Sequence, residues 1–410
     1  MYNNNIFDEI QPMMTGEELK HALSALPKYD GGIMCEDSTI RLRGLSELYG
    51  IYIPSEMTIE IYHKLYLALL HSFNKKVNKN IIKQQYENYN LICGRQGNGI
   101  IGGADSFTII GVSGIGKSSA IHKSIEIITR NKVIDINHPQ STIIPYLAVQ
   151  CPFDSSVKGL LLEILRSVDE VLSSDYYRQA IRSRATTDIL IGSVSQIAIN
   201  HIGVLIVDEI QNITNSNNGK ALVSALTQLI NNSGISICMV GTPECTLLLE
   251  SAVQLARRSL GLRYSALPYN EYFFEFCTTV FEYQYVKNRT EISDAIIEWL
   301  YEHSAGIISF VILLLHDAQE IAILNKRELL DLTSLNEAYK QRLTMMHDYI
   351  EPKIKRQSQT QAAKKASASE FGYSGYESVS LSALANAAKL NNMHIVDMLK
   401  KYITMEEIHI

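Results

Sequence analysis

Apolar residues fall along this chain in two rhythms. Short continuous runs rich in Ile, Val and Phe, at Phe107–Ile110, Ile143–Val149, Val204–Val207 and Ile235–Val240, read as strands buried on both faces. Between and beside them, Lys117–Thr129, Val157–Leu172, Tyr176–Ile199 and Gly219–Asn231 read as helices. This alternation predicts an α/β fold, a parallel sheet with helices on both faces. Ahead of it, Ile61, Leu65, Ala68 and Leu69 recur at helical spacing within Met57–Phe73. Beyond Pro268 the strand signal stops, and residues 269–350 read as roughly four helices.

The same pattern divides the chain. Residues 1–56 are poorly periodic and read as an N-terminal extension, 57–267 as the sheet-bearing core and 268–350 as a small helical unit. Residues 351–380 are rich in Gln, Ala, Ser and Lys, with Lys353, Lys355, Arg356, Lys364 and Lys365 and no acid between Pro352 and Glu370. They read as a basic flexible linker. Residues 381–410 close the chain with an amphipathic helix.

Composition narrows the classes. With 410 residues, 46% apolar and 20% charged, the chain can bury a sizeable core, which excludes disorder as its main state. The net charge of −6 means that any nucleic-acid contact is a local patch. Six cysteines are scattered singly, with neither a C-x-x-C pair nor zinc spacing, which points to a reducing cytoplasm. Met1–Pro12 lacks a basic-then-apolar stretch, and the run Ala305–Leu315 is too short to cross a bilayer.

The strongest chemical signal is Gly111, Val112, Ser113, Gly114, Ile115, Gly116, Lys117 and Ser118, which satisfy G-x-x-x-x-G-K-[ST] between a strand and a helix. Glycines let successive N–H groups curl around a triphosphate, and the helix N-terminus, with Ser119 in its first turn, adds partial positive charge. Lys117 is expected to reach the β/γ-phosphates and Ser118 to ligate Mg²⁺. The run Val204–Val207 ends in Asp208 and Glu209, where ligands of parallel sheets sit. Asp208 is expected to hold Mg²⁺ and Glu209 to activate water. Thr242, at the tip of Ile235–Val240, is expected to face the γ-phosphate or to cap the turn at Pro243. Arg257 and Arg258, with Arg263 behind them, are candidates for an arginine acting on a neighbouring subunit's nucleotide.

This order of P-loop, acid pair, strand-tip Thr, arginine pair and helical lid resembles the AAA+ ATPases. Three segments sharpen the resemblance: Cys151-Pro152-Phe153-Asp154-Ser155-Ser156 with Lys158-Gly159, Gln211-Asn212, and Phe281–Asn288. They are similar to TnsC, the transposition regulator of TnsABC-type transposons, some of them RNA-guided, and to its relative TniB. The resemblance spans about residues 50–330. It implies an ATP- and Mg²⁺-dependent ATPase that forms a homo-oligomeric ring or filament on double-stranded DNA. It also implies partners: a target selector of TnsD or TniQ type, assigned here to residues 1–56, and transposase subunits, assigned to the C-terminal helix.

One departure stands out, because Ser309 occupies the lid position where many AAA+ proteins carry an arginine. A nucleotide-gated docking scaffold and a helicase or initiator loader are the competing readings. Lys132, Lys158, Arg182 and Arg184 are the candidate DNA contacts, since backbone phosphates are met by local basic groups.

Overall fold

The computed structural model describes residues 6–77, 106–137, 140–214, 218–246, 249 and 260–343. One sheet contains β1 (Phe107–Gly111), β2 (Ile134–Asn137), β3 (Gln140–Gln150), β4 (Ile202–Asp208), β5 (Ser236–Gly241) and β6 (Leu260–Tyr264), in the order β2-β3-β4-β5-β1-β6. Neighbours are parallel except in the β2–β3 hairpin. The four strands legible from apolar runs are β1, β3, β4 and β5. The sequence missed β2 and β6 because they are short edge strands, interrupted by Asp135 and Asn137 in one and by Gly261 and Arg263 in the other.

Side chains of β4 and β5 alternate between two cores, which is why both strands read as unbroken apolar runs. Leu205, Val207, Ile237 and Met239 face a cluster completed by three helices, α5 (Val157–Leu172), α7 (Thr187–His201) and α8 (Gly219–Ser233). Val204, Ile206, Cys238 and Val240 face the opposite cluster, with α1 (Gly16–Leu23), α3 (Glu56–Val77) and α4 (Lys117–Ile128). Each fully buried aliphatic contributes about 1.5–3 kcal/mol relative to an exposed one.

The helix expected over Tyr176–Ile199 is two helices, α6 (Tyr176–Arg182) and α7. Arg184 turns between them at φ +51°, and the buried Ala185 donates its N–H to Ala180 O at 3.1 Å. An apolar period of 3.6 continues across such a turn and hides it.

The helical unit contains α9 (Glu271–Phe281), α10 (Asp294–Ser304), α11 (Ile308–Leu324) and α12 (Leu332–Ala338) around a third core. Among the described residues no single helix is long and apolar enough to cross a membrane.

Residues 6–56, an extension in the sequence reading, are built into both parts. Ile6, Ile10, Leu19 and Leu23 are buried against α3 and α4, whereas Leu45, Leu48 and Ile51 enter the lid core. The lid-bound piece includes α2 (Ser38–Gly44), whose Arg41 is 1% exposed and pairs with both oxygens of Glu328 at 2.6 and 2.7 Å. Poor periodicity here reflects short elements serving two cores in turn.

Candidate functional site

The Gly111–Ser118 loop joins the C-terminal end of β1 to α4. Gly114 and Gly116 take φ +83° and +93°, the left-handed region that favours glycine. Residues with larger side chains at 114 would also collide with the lid, since a Cβ there would stand 2.3 Å from Ser309 Oγ. Lys117 Nζ donates to Gly111 O at 2.7 Å and Val112 O at 3.0 Å, folding over its own loop. Partial burial holds its ammonium below the ordinary lysine value, against the opposing pull of Asp208 and Glu209.

β4 ends beside this loop. Ser118 Oγ donates to Asp208 Oδ2 at 2.9 Å, while Asp208 Oδ1 accepts the Glu209 N–H at 2.8 Å. Glu209 sits at φ +56°, an uncommon conformation for a residue with a Cβ. Its carboxylate accepts a hydrogen bond from Gln211 Nε2, and Gln211 is a residue for which the sequence reading gave only a family signal. The turn is braced from behind: Asn212 Nδ2 donates to Cys151 O at 2.9 Å, and Ser155 Oγ donates to Asn212 O at 2.7 Å. The Cys151–Ser156 segment is therefore the support under the acid pair.

Thr242 follows β5 at the head of the short turn Pro243–Cys245, but its hydroxyl gives no cap to that turn. It bonds to Glu244 instead, which holds that carboxyl below the ordinary glutamate range. Lys117, Ser118, Asp208, Glu209, Gln211, Thr242 and Ser309 line one open cavity of about 270 Å³. A second cavity of about 550 Å³ adjoins the loop, walled by Tyr49–Ile53, Met57, Thr58, Phe276, Ile308 and Ile312. This wall was not legible in the sequence, because its N-terminal strip is aperiodic and distant in the chain. Ser309 belongs to both cavities, and its N–H donates to Gly114 O at 3.2 Å, so the lid touches the loop through backbone and a hydroxyl.

The remaining candidates lie elsewhere. Lys132, Lys158, Arg182 and Arg184 are exposed, and none lines either cavity. Lys158 is in the first turn of α5, behind the Ser156 cap that accepts from Gly159 N at 3.1 Å. Arg263 is exposed on the edge strand β6. Arg257, Arg258, the 351–380 linker and the 381–410 helix lie outside the described residues.

With β5 separating the P-loop strand from the acidic strand, and a helical lid resting on the loop, the architecture is that of an AAA+ core. Residues 103–264 match the family model described as Bacterial TniB protein. Over this segment the chain is similar to the TniB family. TniB proteins are TnsC-like AAA+ ATPases of transposition, and the P-loop, the acid pair and the Thr242 turn all fall inside the matched segment. No curated protein matches the chain. Among solved structures, the chain is similar to the Aeropyrum pernix ORC1 protein in complex with DNA, at 13% identity over 67% of this chain and 68% of that one, TM-score 0.43. It is also similar to Drosophila ORC bound to DNA, at 12% identity over 98% and 86%, TM-score 0.47. Domain III of the Thermotoga maritima initiator DnaA matches at 11% identity over 80% and 100%, TM-score 0.39.

Proposed function

We propose that this chain is a Mg²⁺-dependent ATPase that assembles with ATP on duplex DNA and links a target selector to a transposase. The observation that carries the reading is the meeting of Lys117, Ser118, Asp208 and Glu209 in one cavity at the ends of β1 and β4. In the proposed mode the triphosphate lies along the Gly111–Ser119 backbone N–H groups, and Lys117 leaves its loop carbonyls for the β/γ-phosphates. The nucleoside fits the larger cavity, where Phe276, Ile308 and Ile312 offer apolar surface to a base.

Ser118 Oγ and Asp208 Oδ2, 2.9 Å apart, form a hard-oxygen pair of the kind Mg²⁺ takes. When bound there, Mg²⁺ neutralises developing phosphate charge. Glu209 accepts the proton of the attacking water, and Thr242 meets the γ-phosphate. Arg257, Arg258 or Arg263 of a neighbouring copy supplies further positive charge, which ties turnover to assembly. Lys132, Lys158, Arg182 and Arg184 meet DNA phosphates. Residues 1–56 and 381–410 remain the proposed contacts for selector and transposase, although part of the first segment also walls the base cavity.

Glu209→Gln tests the catalytic half. Turnover is expected to fall by roughly 10²-fold or more with ATP affinity retained, so that the ATP-bound assembly persists. Normal hydrolysis by this variant removes Glu209 from the role given to it.

A further inference from the structure

Gln211 lies one residue into the turn after β4, in the phosphate cavity beside Glu209, Gly241 and Thr242. Its two amide ends are used unequally. Nε2 donates to the Glu209 carboxylate, which accepts only and so fixes which end is nitrogen. Oε1 is buried and has no hydrogen-bond partner. A buried amide oxygen left unpaired keeps its full desolvation cost. That oxygen lies against Gly241, at which an added Cβ would stand 3.0 Å from it. The turn cannot relax easily to pair it, because Asn212 and Ser155 pin the neighbouring backbone.

We infer that Gln211 is a positioning residue for hydrolysis: with Oε1 locked behind Gly241, its amide turns Nε2 onto Glu209 and holds that carboxylate toward the cavity. The inference rests on the ATPase reading above. A base takes the water proton well only if its carboxylate is held at one angle, and a single donor from Nε2 does that. In the step, the water oxygen bonds to the γ-phosphorus as the bond to the β–γ bridging oxygen breaks, its electron pair leaving with ADP. One water proton passes to Glu209. The other stays on the phosphate produced.

Three variants of the full chain, assayed with saturating Mg²⁺ and duplex DNA, separate this role from packing. Gln211→Leu keeps bulk and loses both ends, Gln211→Glu keeps an acceptor and loses the donor, and Gln211→His keeps one donor and one acceptor. The expected result is a kcat loss of roughly 10²-fold for Leu and Glu, with histidine restoring at least tenfold of it. KM for ATP stays within threefold throughout. A kcat within threefold of wild type for Gln211→Leu overturns the inference, as does a loss that histidine fails to relieve or one matched by KM. Glu209→Gln run alongside separates the two readings: if it too turns over normally, the hydrolysis mechanism falls and this inference with it. If only Gln211→Leu stays active, this inference alone falls.

Discussion

Glu209 holds its side chain over the phosphate cavity only by taking φ +56°, a conformation that costs a residue with a Cβ on the order of 1 kcal/mol. Glu209→Gly is therefore expected to abolish turnover while leaving stability unchanged or raising it by up to about 1 kcal/mol, measured as the urea midpoint. A clear loss of stability would mean that the Gln211 and Asp208 bonds to this residue outweigh its backbone strain. The residues of this site were readable in proportion to how local their chemistry is. Glycines and a lysine at fixed spacing announce a phosphate loop, and two acids after an apolar run announce its partner. Ser309 touches Gly114 across the fold, and Gln211 meets Glu209 two residues back only because of the turn between them. Nothing in a single sequence reports such contacts. The missing lid arginine was visible at Ser309, but its backbone contact with the loop was not.

Elements show a similar division. Strands buried on both faces and long amphipathic helices were plain, whereas the edge strands, the Arg184 turn and the N-terminal segments were not. The N-terminal case is instructive, because α2 is attached to the lid by one polar contact set. Arg41 is buried, and besides Glu328 it donates to Tyr285 O at 2.9 Å and to Glu36 O at 3.1 Å. Removing the carboxylate strands a buried guanidinium, so Glu328→Gln is expected to cost about 3 kcal/mol at pH 7. The hydrogen bond from Arg41 holds the Glu328 carboxyl below its ordinary value of 4.5. A depressed carboxyl contributes stability above its unfolded value and loses it as pH falls through the lower, folded one. The gap between wild type and Glu328→Gln should thus be full at neutral pH and close progressively below about pH 4.5 in urea titrations. A gap independent of pH would assign the loss to packing.

At the scale of the whole molecule, the lid, the sheet and the N-terminal strip meet around two adjoining cavities, to which the proposed function assigns the phosphates and the base. In the proposed function a chain of net charge −6 meets DNA through a local patch, and binding of that kind weakens steeply with salt. Replacing Lys158 by Ala is expected to weaken duplex binding evenly across sequences and to lower the salt slope by about 1, read by fluorescence anisotropy. An unchanged slope would return Lys158 to ordinary surface charge. Assembly on DNA governed by nucleotide is the central claim. Negative-stain microscopy of the full chain tests it most directly, with Mg²⁺ and a slowly hydrolysed ATP analogue, with and without duplex DNA. Rings or filaments that form only when nucleotide and DNA are both present are the expected result. Assembly indifferent to DNA, or none at all, would contradict it.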